Sequence, residues 1–201
     1  MWKPFLDPVL ACTYLRGMAL APSVLVTAQD YRLMPETGPR YQLIEGELFM
    51  SPAPNRFHQK VSGNIYFLLR SYLERNPAGE LYDAPFDVFL GEHAVFQPDI
   101  LFIANNRRSI LTDEGAEGAP NLVIEVLSES TAHLDRQTKR KVYAASGVDE
   151  LWLVDPEAKT VELFLLQKNA ERPEASYRSN DSFESPCFPG LRILLTDVFK
   201  S

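Results

Sequence analysis

Two acidic residues interrupt otherwise apolar runs of this chain. Asp99 stands in Gln97-Pro98-Asp99-Ile100-Leu101-Phe102-Ile103, and Glu125 in Leu122-Val123-Ile124-Glu125-Val126-Leu127. A lone carboxylate buried among apolar side chains is costly unless it is paired, protonated or bound to a cation. Two such segments separated by a polar loop predict carboxylates that converge on one metal ion, a catalytic arrangement with a physical reason behind it.

Positioning them requires particular elements. Residues 96–103 and 121–127 read as strands. The stretch 104–120 between them is polar, rich in turn formers, and carries Arg107 and Arg108. Ahead of them, Val61, Ile65, Leu68, Leu69 and Tyr72 recur at the spacing of an amphipathic helix over 56–75, which Asn76-Pro77-Ala78-Gly79 stops. Phe86, Val88 and Leu90 predict a strand, and Gly91-Glu92-His93 a turn into the Asp99 strand. After Glu125, Ser128-Glu129-Ser130-Thr131 opens a helix over about 132–146, ended by Gly147. Leu151–Val154 and Thr160–Leu166 then form a hairpin, and a last strand follows at 191–195.

The N-terminal side adds a short helix capped by Thr27, with Asp30 three residues on, and a hairpin over 41–51 turning near Gly46. The order helix, strand, strand, strand, helix, strand predicts an α/β (α+β) protein with a mixed central sheet flanked by helices. The helix between the Glu125 strand and the 151–154 strand is what a parallel crossover requires.

Composition bounds the function. The 201 residues suffice for one buried core, so residues 18–201 are expected to form a single domain. Residues 1–17 are expected to be an extension, disordered or mis-assigned, with Met18 the better start. Val9-Leu10-Ala11-Cys12 resembles a lipoprotein cleavage site, but Pro4, Asp7 and Pro8 break the apolar stretch that a signal needs. No run approaches the roughly 18 apolar residues of a membrane helix. With only Cys12 and Cys187, far apart, a disulfide framework and a structural zinc site are not expected, and a cytoplasmic location is. The net charge of −7 argues against a surface coated with nucleic-acid-binding charge, yet leaves room for a local basic cleft.

Several blocks together resemble the Uma-type family of bacterial restriction-endonuclease-like proteins, within the PD-(D/E)xK nuclease superfamily. They are Tyr41-Gln42-Leu43-Ile44-Glu45-Gly46-Glu47, Ser51-Pro52 with His58, Gln97-Pro98-Asp99, and Pro120 to Ser128. Asp135, Lys139 and Tyr143 at four-residue spacing and Gly147 to Pro156 complete the set. The resemblance covers residues 41–166. It implies an αβββαβ restriction-endonuclease-like core, with an N-terminal helix and hairpin and a C-terminal strand added.

It also implies a metal-dependent DNA endonuclease in which Asp99, Glu125 and the Val126 carbonyl hold Mg²⁺ or Mn²⁺. Leu127 occupies the superfamily's usual lysine position, and Lys139 on the following helix is the expected replacement, with Lys141 as the fallback. Against that stands a plain Asp135–Lys139 surface ion pair. Glu45, His58 and Tyr143 are candidate accessory residues: a third carboxylate, a core or capping histidine turned to function, and an orienting hydroxyl. Arg107, Arg108, Arg136 and Arg140 are candidate phosphate contacts or a solvated basic face. The expected partners are DNA and a second copy of the chain, with no membrane. The rival readings are a degraded nucleic-acid- or partner-binding module and a hydrolase of small phosphate esters.

Overall fold

The computed structural model of the chain describes residues 25–35 and 38–200; the expected 1–17 extension lies outside them. Helix α1 (Ala28–Arg32) starts at a capping box in which Thr27 and Asp30 satisfy each other's backbone amides. Strands β1 (Tyr41–Ile44) and β2 (Glu47–Met50) form the predicted hairpin, with Glu45 and Gly46 at positive φ in the turn. Helix α2 (Arg56–Leu73) is capped by Asn55 and buries Val61, Ile65 and Leu69 of the expected stripe together with Leu73, while Leu68 and Tyr72 pack only partly buried at its edge.

The next stretch corrects two expectations. A strand at 79–83, β3 (Gly79–Asp83), follows α2 directly. Its Gly-Glu-Leu-Tyr-Asp sequence carries one fully buried apolar residue, Leu81, so no alternation announced it. Gly79 is required there, because a Cβ would lie 2.3 Å from the Ile103 carbonyl oxygen. The apolar run through 103 is also not one strand. It divides into β5 (Ala94–Phe96), paired with β4 (Val88–Gly91), and β6 (Ile100–Ala104). Pro98 lacks the N–H a continuous ladder needs, and residues 97–99 carry the chain from one sheet to another. Asp99 therefore lies in a bend rather than inside a strand.

A 3-10 turn (Asn105–Ile110) and β7 (Ala116–Glu117) precede β8 (Leu122–Val126), all five residues of which are buried. The following helix opens with a π-type segment, Leu134–Lys139, and continues as α3 (Arg140–Ser146) up to Gly147 at φ 95°. Strands β9 (Glu150–Asp155) and β10 (Thr160–Leu165) form the second hairpin. The tail adds β11 (Ala175–Arg178), β12 (Ser182–Glu184), β13 (Arg192–Leu194) and α4 (Leu195–Val198).

These strands make two mixed sheets rather than one, plus a two-stranded ribbon. The first has the order β2-β1-β5-β4-β7, and the second β11-β10-β9-β8-β6-β3. In the second, β8 and β9 are parallel and every other pair is antiparallel. Helix α2, β3, β6, β8, the 134–146 helix and β9 give the order helix, strand, strand, strand, helix, strand, with the β4–β5 hairpin inserted. Both faces of β8 are covered, which is why it reads as an unbroken apolar run. On one face Leu122, Ile124 and Val126 share a core with the α2 stripe and Trp152. On the other, Val123 and Leu127 pack with Tyr143, Phe96 and Leu151. Glu125 alternates onto this second face. No described helix is long and apolar enough to cross a membrane.

Candidate active site

The β6–β8 ladder ends at Ile100 opposite Ile124. Beyond it the Asp99 side chain takes over, and Val126 N–H donates to Asp99 Oδ2 at 2.7 Å. A backbone amide at a sheet end needs such a partner, so the bend at Pro98 is what brings Asp99 beside the Glu125 strand. His58, in the first turn of α2, sets Nε2 3.2 Å from the same Asp99 oxygen. Burial alone would lower the His58 pKa, but Asp99 and the Val126 backbone outweigh it and raise the value.

Glu125 is buried, and its Oε1 accepts from Tyr143 Oη at 2.7 Å and Lys139 Nζ at 3.1 Å. Lys139 Nζ also lies 2.9 Å from Asp135 Oδ1. The π-type segment carries Asp135 and Lys139 together on its buried side; such widened turns are frequent at functional sites. The pair is 3% and 4% exposed respectively, which rules out the plain surface ion pair.

Burial pushes the Glu125 carboxyl up to about 8; Asp135 and Asp99 add to the rise, and Lys139 and Tyr143 oppose it. Burial would pull Lys139 down, but Glu125 and Asp135 together hold it above its ordinary range.

Three carboxylates thus face one lysine and one histidine. Asp99 Oδ1 and Glu125 Oε2 take no hydrogen bond among the described residues, whose bonds all fall on the other oxygen of each group. These are hard oxygen donors in a cluster short of positive charge, which fits Mg²⁺ or Mn²⁺. No group of three or more His, Cys, Asp or Glu side chains is arranged as a metal cage among the described residues. Any cation there would keep part of its shell as water, as Mg²⁺ commonly does.

The cluster opens into a cleft of about 1060 Å³ whose lining includes Arg40, His58, Gln97, Asp99, Glu125 and Lys139. Glu45 does not join them. It is exposed in the β1–β2 turn, at the opposite hairpin end from Gln42 and Ser51, which line the cleft. Leu127, where the resemblance implies a lysine, is buried in the apolar cluster with Tyr143.

The four arginines considered for phosphate are engaged elsewhere. Arg107 donates to the Ala119, Pro120 and Gly147 carbonyls and to Asp149. Arg108 pairs with Glu80, Arg136 with Asp155 and Glu162, and Arg140 with Glu171. Asp135, expected only as the partner of Lys139 in a surface pair, joins the cluster, and its four-residue spacing from Lys139 is the signal in sequence.

Comparison with known proteins agrees with this architecture. The profile of the family Uma2, described as a putative restriction endonuclease, matches residues 28–196. An uncharacterized protein of Synechocystis sp., sll1609, is 25% identical over 165 residues, covering 77% of this chain and 88% of its own. The crystal structure of a putative nuclease belonging to DUF820 from Anabaena variabilis superposes with a TM-score of 0.71 at 20% identity. That match covers 87% of this chain and 97% of the other, and carries the fold.

Proposed function

The chain belongs to the Uma2 family, and from that premise we propose that it is a metal-dependent DNA endonuclease with a restriction-endonuclease-like αβββαβ core. The observation that carries the reading is the approach of Lys139 Nζ to Glu125 Oε1, 3.1 Å apart and 14 positions distant in sequence. It supports Lys139 as the functional replacement for a lysine at position 127.

Asp99, Glu125 and the Val126 carbonyl are the groups that would hold Mg²⁺ or Mn²⁺. Such a cation, when bound, would supply Lewis acidity toward a phosphodiester and activation of water. The protein's own residues do the rest. Lys139, held protonated by two carboxylates, acts as a fixed cation and hydrogen-bond donor toward negative charge developing on the phosphate, not as a base. Tyr143 and Lys139 together occupy Glu125 Oε1 and leave Oε2 for the cleft. Val126 N–H and His58 do the same for Asp99, leaving Oδ1. Cutting both strands of a duplex needs two such sites, so the reading includes a homodimer.

The test is cleavage of plasmid DNA with Mg²⁺ or Mn²⁺ by the wild type and by Asp99→Ala. The expected result is nicking or linearisation that the substitution abolishes. Cleavage that survives Asp99→Ala removes this site. An inert wild type that still binds DNA leaves the fold as a binding module. Parallel assay of a small phosphodiester separates a nuclease from a small-ester hydrolase.

A further inference from the structure

The chain carries a net charge of −7, and its cleft is lined by Asp99, Glu125, Glu129 and Asp135. A polyanion can settle there only where exposed cations neutralise its phosphates. Lys139, buried between two carboxylates, is positioned for the phosphate that reacts and not for the phosphates on either side of it.

Several arginines are also engaged. Arg32 pairs with Glu114 and Glu117, and Arg107, Arg108, Arg136 and Arg140 each have a carboxylate. Arg40 and Arg56 differ. Both are exposed, and neither makes an ion pair among the described residues, although Glu129, Asp155 and Glu157 line the same groove as Arg56.

Their positions are complementary. Arg40 lines the main cleft, and Arg56 lines an adjoining groove of about 470 Å³. The two hollows share Asn55, His58, Ser128 and Glu129 as a common wall, and His58 in that wall contacts Asp99. Arg40 lines the hollow that holds Asp99 and Glu125, Arg56 lines the other, and His58, which contacts Asp99, lines both.

Their backbones are fixed, while their guanidinium groups make no ion pair among the described residues. Ser51 N–H donates to the Arg40 carbonyl at 2.8 Å, closing the hairpin end. Arg56 is the first residue of α2, whose cap Asn55 accepts from Phe57 and His58 N–H.

We infer that Arg40 and Arg56 form a phosphate track, holding the backbone of one DNA strand on either side of the phosphate presented to Asp99 and Glu125. The inference rests on the proposed nuclease reading and adds to it where the strand runs. Because guanidinium forks match phosphate oxygens bidentately, the track reads backbone and not bases.

The test measures binding of a fluorescent DNA duplex by anisotropy across a salt series, without divalent cations, for wild type, Arg40→Gln, Arg56→Gln and Arg178→Gln. Arg178 is exposed on β11, away from both hollows. Each track substitution is expected to reduce the slope of log K against log salt by about 0.9, the value for one phosphate contact on duplex DNA. Arg178→Gln is expected to leave it unchanged. Thermal melts establish that the variants fold as the wild type does. Slopes equal to wild type at either Arg40 or Arg56 overturn the track while leaving plasmid cleavage, read separately, as the measure of the proposed function. A wild type that neither binds nor cuts DNA overturns both.

Discussion

Tyr143 and Lys139 address the same oxygen of Glu125, the hydroxyl from 2.7 Å and the ammonium from 3.1 Å. All three side chains are buried. The carboxylate is thereby held by one edge, with its other oxygen facing the cleft. Tyr143→Phe removes the hydroxyl but keeps the ring packed edge-on against Phe96. A lost hydrogen bond to a charged group costs about 1.5–3 kcal/mol, and the Glu125 pKa, already pushed up to about 8 by burial, should rise further. The expected phenotype is a fold that survives, a fall in kcat larger than any change in KM, and a pH–rate profile displaced upward. An unshifted profile would mean that Tyr143 is packing alone.

Removing the lysine should be far more damaging. Lys139→Met leaves Glu125 and Asp135 buried without their cation, and breaking a buried pair from one side costs about 3–5 kcal/mol. Urea denaturation at neutral pH should register that loss. Cleavage should disappear. Lys141→Met is the control: Lys141 is exposed, so stability and cleavage should both persist.

Glu150 offers a pH test remote from the cleft. It is buried, and accepts from Trp152 Nε1 at 2.6 Å and from Ser185 Oγ at 2.8 Å. Burial raises its pKa above the ordinary 4.5, against the pull of those donors. The folded state therefore holds its proton to higher pH than the unfolded state does. Its contribution to stability is present below about 4.5 and is lost as pH rises through the folded value. Glu150→Gln should flatten that decline, seen as a wild-type minus variant difference in urea midpoint that changes with pH. A difference independent of pH would show Glu150 ionised alike in both states.

Arg107 should matter for folding and not for DNA. Its guanidinium joins the Ala119 and Pro120 carbonyls to Gly147 and Asp149, tying the loop before β8 to the loop before β9. Arg107→Ala should destabilise the protein by about 2 kcal/mol, the scale of losing partners for buried polar groups. The salt slope of DNA binding should stay at the wild-type value.

Some elements were legible because their own residues carry the signal. Helix α2 has its apolar stripe and stop, β8 and β9 their unbroken apolar runs, and α1 its capping box. Asp99 and Glu125 stood out for the same local reason, as charges within apolar sequence. Strands β3, β11 and β12 were silent, since each is short and buries at most one residue fully. They exist because a neighbour presents unpaired backbone, a condition no local pattern records.

The sequence by itself determined which segments are apolar, where they break, and that two carboxylates and a lysine at four-residue spacing from Asp135 needed explanation. Tertiary structure alone decided the rest. Pro98 divides one apolar run between two sheets, and only the sheet that β6 joins brings Asp99 to the Val126 amide. The Asp135–Lys139 spacing is the same on a surface helix and a buried one. Burial beside Glu125 turned a pair of small worth into a charged cluster at the floor of a cleft. The arginines, alike in sequence, were sorted by which of them found a carboxylate partner in the folded chain.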